Sequence, residues 1–192
     1  MSDFKGVQIA LTGEMRSGKD TVGKFLVEEY GFKRFAFGDG IVKTCRKLFP
    51  DQFKEGRKPR KLLQDFGQFC VAHDKNVWVN YVFREMLWYE VDPLEDNVVI
   101  TDLRQPHEYE KLLESGFTIV RVNSKPAKRK ARIIAAGEEY DPETFNHSTE
   151  KFVRTFEVDF ELYNNGTFDE LISQTKNMLR NLTGGGFEYG SQ

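Results

Sequence analysis

The amino-acid sequence predicts an α/β protein in which a parallel sheet is flanked by helices and carries a small helical lid. Two observations lead to this fold class. Short apolar runs alternate with segments of helical periodicity along most of the 192 residues, and a glycine-rich segment, 13–21, joins the first apolar run to the first helix. Strands that alternate with helices pair in parallel through right-handed crossovers.

The individual elements are assigned from apolar runs, helical periodicity and glycine or proline stops. The first strand, 7–12, ends at Gly13, and the first helix, 19–30, ends at Gly31. The other predicted strands are 33–37, 97–101, 117–122 and 160–163, and the other predicted helices are 41–49, 61–71, 77–89, 108–114, 126–136 and 168–182. Glycine and polar residues dominate 183–192, which predicts a flexible tail after one domain, 1–182.

Composition excludes several classes of protein. Hydrophobic residues are 39% and charged residues 30%, as in globular proteins. The chain has no run of about 18 apolar residues, so we expect no membrane partner. A net charge of −2 gives no electrostatic reason for a stable nucleic-acid partner. Two cysteines in helix-like segments favour a reducing compartment, and we expect a cytoplasmic protein, either a monomer or a homodimer.

Residues 13–19, here called the phosphate loop, match the pattern G-x-x-x-x-G-K between a strand and a helix. The glycines let the backbone fold around phosphate oxygens, with N–H groups and the helix N-terminus facing the anion. Lys19 can reach the β- and γ-phosphates of ATP. The next position is usually Ser or Thr, which ligates Mg²⁺; here it is Asp20, followed by Thr21, and the sequence leaves open which of them holds the metal.

A second acidic position ends the predicted strand 97–101. Ligands of open α/β sheets bind beyond the carboxyl ends of the strands, so Asp102 is expected near the phosphate loop, where it can orient hydrated Mg²⁺. Capping of the following helix is the alternative role, and both can hold. Arg104 suits bidentate capture of a phosphate. Its alternative is a surface ion pair with Glu108.

The basic segment 125–132 predicts part of a lid. On a helix, Lys125, Lys128, Arg129 and Arg132 share one face. Arginines from a closing lid stabilise the charge that develops in phosphoryl transfer, and we expect Arg129 or Arg132 to cover the transferring group. The lid is predicted over 125–150, with an exposed charged helix as the alternative.

Five segments together resemble the bacteriophage deoxynucleoside monophosphate kinases. They are Gly-Glu-Met-Arg-Ser-Gly-Lys-Asp-Thr at 13–21, Arg-Lys-Leu-Leu-Gln-Asp-Phe-Gly at 60–67, Thr-Asp-Leu-Arg-Gln-Pro-His-Glu at 101–108, His-Ser-Thr-Glu at 147–150 and Asn-Asn-Gly-Thr-Phe-Asp-Glu-Leu at 164–171. The resemblance implies a P-loop NTPase fold of the nucleoside monophosphate kinase type. It also implies ATP and Mg²⁺ as cofactors and a small-molecule deoxynucleoside monophosphate as acceptor.

The motifs and the resemblance together give the candidate site residues. The ATP-binding and metal-binding candidates are Gly13, Arg16, Ser17, Gly18, Lys19, Asp20, Thr21, Asp102 and Asn164, with Asn164 beside the adenine. The acceptor-binding candidates are Asp39, Lys43, Arg60, Gln64, Trp78, Arg104 and Glu108, mostly within 39–90. Phe66, Phe69 and Trp78 are expected in the core, although one of them could stack on the acceptor base.

Three alternatives stay open. Animal phosphomevalonate kinases share the Gly-Lys-Asp loop and the Asp-x-Arg turn, and dephospho-CoA kinases share the general plan. The third alternative, from another class, is a regulator that uses the phosphate loop as a nucleotide switch. The chain shows no distinct second domain to receive such a signal, which counts against this third reading.

Overall fold

The computed structural model describes residues 6–56, 59–92, 94–137 and 152–184. Five strands in this part of the chain form one sheet in the order β2–β3–β1–β4–β5. The strands are β1 Gln8–Thr12, β2 Lys33–Phe35, β3 Val98–Leu103, β4 Thr118–Asn123 and β5 Phe160–Tyr163. Strand β1 pairs in parallel with β3 and β4, and β4 pairs in parallel with β5. The predicted α/β class with a parallel sheet is confirmed.

The described ranges contain seven α-helices and one 3₁₀ helix. They are α1 Lys19–Tyr30, α2 Phe37–Leu48, the 3₁₀ helix Pro50–Gly56, α3 Arg60–His73, α4 Val77–Trp88, α5 Pro106–Glu114, α6 Pro126–Ala135 and α7 Phe168–Leu182. None of the helices described there has the length and apolar character needed to cross a membrane.

The chain divides into two compact units. The first unit, 1–34 and 93–192, contains most of the sheet with α1, α5, α6 and α7. The second unit, 35–92, contains α2, α3, α4 and the 3₁₀ helix. The segment 39–90, which was predicted to bind the acceptor, lies inside this second unit.

The core of the first unit is built on the central strands. Apolar side chains of β1, β3 and β4 pack with those of α1 and α7 in one buried cluster, which includes Leu11, Leu26, Val99, Val120 and Leu179. Full burial of each such side chain contributes roughly 1.5–3 kcal/mol to stability. This rigid core fixes the carboxyl ends of the strands, where the phosphate loop begins.

Helix α2 starts earlier than the sequence predicted. The expected strand 33–37 ends at Phe35, and the helix expected at 41–49 begins at Phe37. A glycine near a predicted helix start favours a turn. Gly40 nevertheless lies inside α2, and it lacks a side chain because α4 packs closely on this position. A Cβ atom at Gly40 would lie 2.8 Å from the Tyr81 ring and 3.1 Å from the Trp78 ring.

Smaller differences concern single residues and ends of elements. Strand β3 continues one residue past Asp102, because Leu103 still pairs with Thr12 of β1. The prediction that Phe69 lies in the core is wrong: Phe69 is 62% exposed and its ring lies against the His73 ring. Residues 138–150 of the predicted lid and 185–192 of the predicted tail lie outside the described residues.

Candidate active site

The phosphate loop has the backbone that its glycines predicted. Gly13 and Gly18 have φ angles of +140° and +113°, and Arg16 between them has a φ of +59°. Side chains are excluded at both glycines by close neighbours as well. A Cβ at Gly13 would lie 2.4 Å from the carbonyl oxygen of Val122, and one at Gly18 would lie 2.2 Å from Nδ2 of Asn164. The loop therefore runs directly along the ends of β4 and β5.

Lys19 turns back into the loop that precedes it. Its side chain is buried, with the residue 6% exposed, and Nζ donates to the carbonyl oxygens of Gly13 at 2.7 Å and Glu14 at 3.0 Å. A buried ammonium needs such partners, because charge is costly to remove from water. The ammonium is thereby held against the backbone of the phosphate loop.

The start of α1 fits an anion. Gly18, the N-cap residue, provides no side chain to cap the first turn, and uncapped N–H groups at a helix N-terminus attract negative charge. The buried Ser17 hydroxyl has no hydrogen-bond partner among the described residues. A phosphate group in the loop would satisfy both features.

Asn164 and Arg132 hold the loop from the side of β5. Nδ2 of Asn164 donates to the Ser17 carbonyl at 2.9 Å, and its Oδ1 accepts from Nη2 of Arg132 at 2.8 Å. Arg132 also donates through Nη1 to the Arg16 carbonyl at 3.0 Å. Partial burial lowers the pKa of Arg132 from its usual value. Asn164, predicted beside the adenine, thus uses its side-chain amide to support the loop.

Arg129 makes a second support from α6. Its side chain is 2% exposed, and it donates to Oε1 of Glu14 at 2.9 Å and to the Met15 carbonyl at 3.2 Å. An exposed charged helix was the alternative to a lid. That alternative is wrong for Arg129, which is buried, whereas Lys125 and Lys128 on the same predicted face are exposed. Direct contact of Arg129 or Arg132 with the transferring group stays a prediction.

Asp102 and Arg104 flank the beginning of the phosphate loop. Leu103 pairs with Thr12, and the Thr12 hydroxyl donates to the Leu103 carbonyl at 3.0 Å. Asp102, Arg104 and Gly13 therefore lie at the same edge of the sheet. Their proximity follows from the parallel register, as the sequence analysis expected.

Glu108 caps α5 and fixes the turn at Arg104. Its Oε2 accepts from the backbone N–H groups of Arg104 and Gln105, both at 2.9 Å. Burial first, and the nearby charge of Asp102 second, raise the pKa of Glu108 to about 8, although the two N–H bonds oppose this rise. Glu108 thus contacts Arg104 through the Arg104 backbone N–H, and an ion pair between the two side chains stays a prediction.

The remaining acceptor candidates lie in the second unit. Arg60 and Gln64 are exposed and one helical turn apart on α3. Trp78 is buried, and its Nε1 donates to the Gly67 carbonyl at 3.3 Å. Asp39 and Lys43 line a surface groove of about 530 Å³ between α2 and α4.

Lys43 is tied to the wall of this groove. Its Nζ lies 3.3 Å from Oε1 of Glu85 and 5.9 Å from the centre of the Tyr81 ring. Hydrogen bonds, first with the Tyr81 side chain and then with Glu85, raise the pKa of Lys43 from its usual value.

Two residues at the loop were missed by the sequence analysis. Glu14 occupies a position of the loop pattern that accepts any residue, and its Oε1 binds both Arg129 and Arg154. The Arg154 side chain lies 140 residues away in the sequence. No local pattern marks either residue, since their pairing depends on the tertiary fold.

The family model of deoxynucleotide monophosphate kinases matches residues 52–175. The chain belongs to the deoxynucleotide monophosphate kinase family. The matched span begins after the phosphate loop, so it is independent of that common motif. This span includes the candidate residues Arg60, Gln64, Arg104 and Asn164. As a member of this family, the protein is a phosphotransferase, a nucleotide kinase of the P-loop type.

Two viral proteins are similar to this chain over most of its length. The kinase is 28% identical over 197 residues to a putative deoxynucleotide monophosphate kinase of Acanthamoeba polyphaga mimivirus, covering 88% of this chain and 93% of that protein. It is 30% identical over 156 residues to the uncharacterized protein ORF77 of Ictalurid herpesvirus 1, covering 76% of this chain and 66% of that protein. Both relatives are viral.

Solved structures of other kinases share the fold. A gluconokinase from Sinorhizobium meliloti has a TM-score of 0.58 at 16% identity, covering 93% of this chain and 94% of that chain. A shikimate kinase from Acinetobacter baumannii, in complex with shikimate, has a TM-score of 0.55 at 15% identity, covering 95% of this chain and 96% of that chain. At these identities the likeness concerns the fold alone.

Proposed function

We propose that the kinase transfers the γ-phosphoryl group of ATP to the phosphate of a deoxynucleoside monophosphate, with Mg²⁺ as cofactor. The observation that carries this proposal is the phosphate loop, in which the buried Lys19 ammonium and the uncapped start of α1 lie next to each other. The family assignment supplies the acceptor class.

Oxygen donors near the loop suit Mg²⁺. Asp20 and Thr21 lie in the first turn of α1, and Asp102 lies at the carboxyl end of β3. The described part of the chain contains no group of three or more His, Cys, Asp or Glu side chains that could hold a metal ion. The carboxylates of Asp20 and Asp102 and the hydroxyl of Thr21 suit Mg²⁺, which keeps several waters and binds through one or two carboxylates and substrate phosphates. Bound Mg²⁺ neutralises charge on the phosphate oxygens.

The chain acts mainly by holding and orienting the two phosphates. Lys19 and the loop N–H groups bind the donor phosphates, and Arg129 and Arg132 keep the loop in the shape that this requires. Arg104 orients the acceptor phosphate at the same sheet edge. An acceptor phosphate is already anionic at neutral pH, so no general base is required. Positioning and electrostatic stabilisation then supply most of the rate.

The proposed acceptor-binding residues are described unit by unit. In the first unit the candidate is Arg104. In the second unit the candidates are Asp39, Lys43, Arg60, Gln64 and Trp78. Arg60 and Gln64 project from one face of α3, where a guanidinium and an amide can bind phosphate and base edges. Because the two relatives are viral, we further propose that the kinase serves the nucleotide pool of a host cytoplasm.

A coupled assay of ADP release tests the proposed reaction. Wild-type kinase is given ATP, Mg²⁺ and one acceptor at a time: each deoxynucleoside monophosphate, phosphomevalonate or dephospho-CoA. ADP release that depends on a deoxynucleoside monophosphate is expected. Turnover only with phosphomevalonate or dephospho-CoA would reject the proposed acceptor.

A further inference from the structure

The segment before β5 is firmly attached to the first unit. Val153 and Phe156 are buried, and Arg121 of β4 donates to the carbonyl oxygens of both residues. The Phe156 ring stacks on the Tyr109 ring of α5, with ring centres 4.6 Å apart and 3° between the planes. The backbone between these two anchors therefore has a defined position.

Arg154 projects from between the two anchors to the phosphate loop. Its Nη2 donates to Oε1 of Glu14 at 2.6 Å, while its side chain is 65% exposed. Glu14 belongs to the loop itself. An anchored segment thus presents an exposed guanidinium at the rim of the phosphate site.

Glu14 holds two guanidiniums of different character with one carboxylate oxygen. Arg129 is buried and has the Met15 carbonyl as a further partner, so it is fixed to the loop. Arg154 is exposed, and exposed ion pairs contribute little to stability. One negative charge shared by two positive charges leaves an excess of positive charge, which favours an incoming anion.

We propose that Arg154 is a phosphate-binding residue of the kinase. When ATP is bound in the phosphate loop, the Arg154 guanidinium leaves Glu14 and binds a phosphate of the ATP. Arg129 stays on Glu14 during this exchange, so the loop keeps its shape. A planar guanidinium binds two phosphate oxygens at once, a contact stronger than its exposed pair with Glu14. The inference rests on the proposed function, since it assigns a further contact to the same donor nucleotide.

The test compares Arg154→Ala, Arg154→Lys and the control Arg180→Ala with wild-type kinase. Arg180 is an exposed arginine of α7 that pairs with Asn177, away from the loop contacts described above. ATP affinity is measured by calorimetry without acceptor, and melting temperature without nucleotide. Arg154→Ala is expected to weaken ATP binding about ten-fold. Arg154→Lys should recover part of this loss, Arg180→Ala should bind like wild type, and all melting temperatures should agree closely.

Two results would overturn the inference. One is wild-type ATP affinity in Arg154→Ala. The other is a loss of affinity that comes with a clearly lower melting temperature and no recovery in Arg154→Lys, since this marks a structural role. The proposed function fails separately, if wild-type kinase binds ATP but phosphorylates no deoxynucleoside monophosphate.

Discussion

At the scale of single residues, Arg104 and Lys19 are expected to separate acceptor binding from donor binding. The Lys19 ammonium contacts the phosphate loop, whereas Arg104 follows β3, the strand that pairs with β1 just before this loop. Loss of a bidentate, charge-assisted contact costs about 1.5–3 kcal/mol. Arg104→Ala should therefore raise the KM for the acceptor about ten-fold or more and leave ATP affinity nearly unchanged.

The matched variants are Arg104→Lys and Lys19→Ala. An ammonium cannot make the planar two-point contact, so Arg104→Lys should restore acceptor binding only in part. Lys19→Ala should lower kcat steeply even at saturating acceptor. Steady-state kinetics with each substrate varied in turn checks all three variants. Weaker ATP binding in Arg104→Ala with an unchanged acceptor KM would show that the acceptor site is misplaced.

Glu108 gives a pH-dependent prediction at the same scale. Its pKa is raised by burial to about 8 in the folded protein, against 4.5 ordinarily. The folded state therefore binds this proton more tightly than the unfolded state. The contribution of Glu108 to stability is full below pH 4.5 and is lost as the pH rises towards 8.

Glu108→Gln should remove this dependence, because the amide stays neutral and its oxygen can still accept from the α5 N-terminus. Between pH 5 and pH 8.5, the free energy of unfolding of Glu108→Gln should rise by about 1–3 kcal/mol relative to wild type. Denaturant unfolding at several pH values measures this difference. A difference that stays constant with pH would contradict the raised pKa.

At the scale of elements, the contact of α2 with α4 depends on Gly40. Alanine in a helix is favoured over glycine by roughly 0.5–1 kcal/mol, but a Cβ at this position would lie 2.8 Å from Tyr81. Overpacking typically costs about 1–3 kcal/mol, so the clash should win. Gly40→Ala is expected to lower the melting temperature by about 2–4 °C or more.

The control for Gly40→Ala is Thr44→Ala in the same helix, which removes atoms instead of adding them and should change the melting temperature less. Thermal unfolding of both variants decides the point. A melting temperature above that of wild type in Gly40→Ala would mean that helix propensity outweighs packing here.

Elements whose ends are set by local chemistry could be predicted from the sequence. Helix α1 runs over Lys19–Tyr30 as expected, because Gly31 adopts the left-handed backbone that ends a helix and Gly18 closes the phosphate loop just before the first turn. The bounds of β5 and α7 also agree, since Thr167 begins α7 with a capping box to Glu170. The start of α2 was predicted too late. Position 40 is glycine because side chains of α4 pack against it, and the local sequence does not show this contact.

At the scale of the whole molecule, local patterns identify the phosphate loop but not its supports. Asn164 contacts the Ser17 carbonyl across 147 residues of sequence, and Arg129 contacts Glu14 across 115. Asn164 was recognised as a site residue from its place after the last strand, but its partner could not be inferred. Such contacts arise only when the strand order brings β1, β4 and β5 side by side.

Transfer of label from [γ-³²P]ATP tests the central claim, that this chain is a deoxynucleoside monophosphate kinase, most directly. Wild-type kinase and Lys19→Ala are incubated with labelled ATP, Mg²⁺ and one deoxynucleoside monophosphate at a time, and the nucleotides are separated. We predict labelled deoxynucleoside diphosphate with at least one acceptor for the wild type, and a steep reduction for Lys19→Ala. Labelled inorganic phosphate alone, with no labelled diphosphate from any acceptor, would contradict the account.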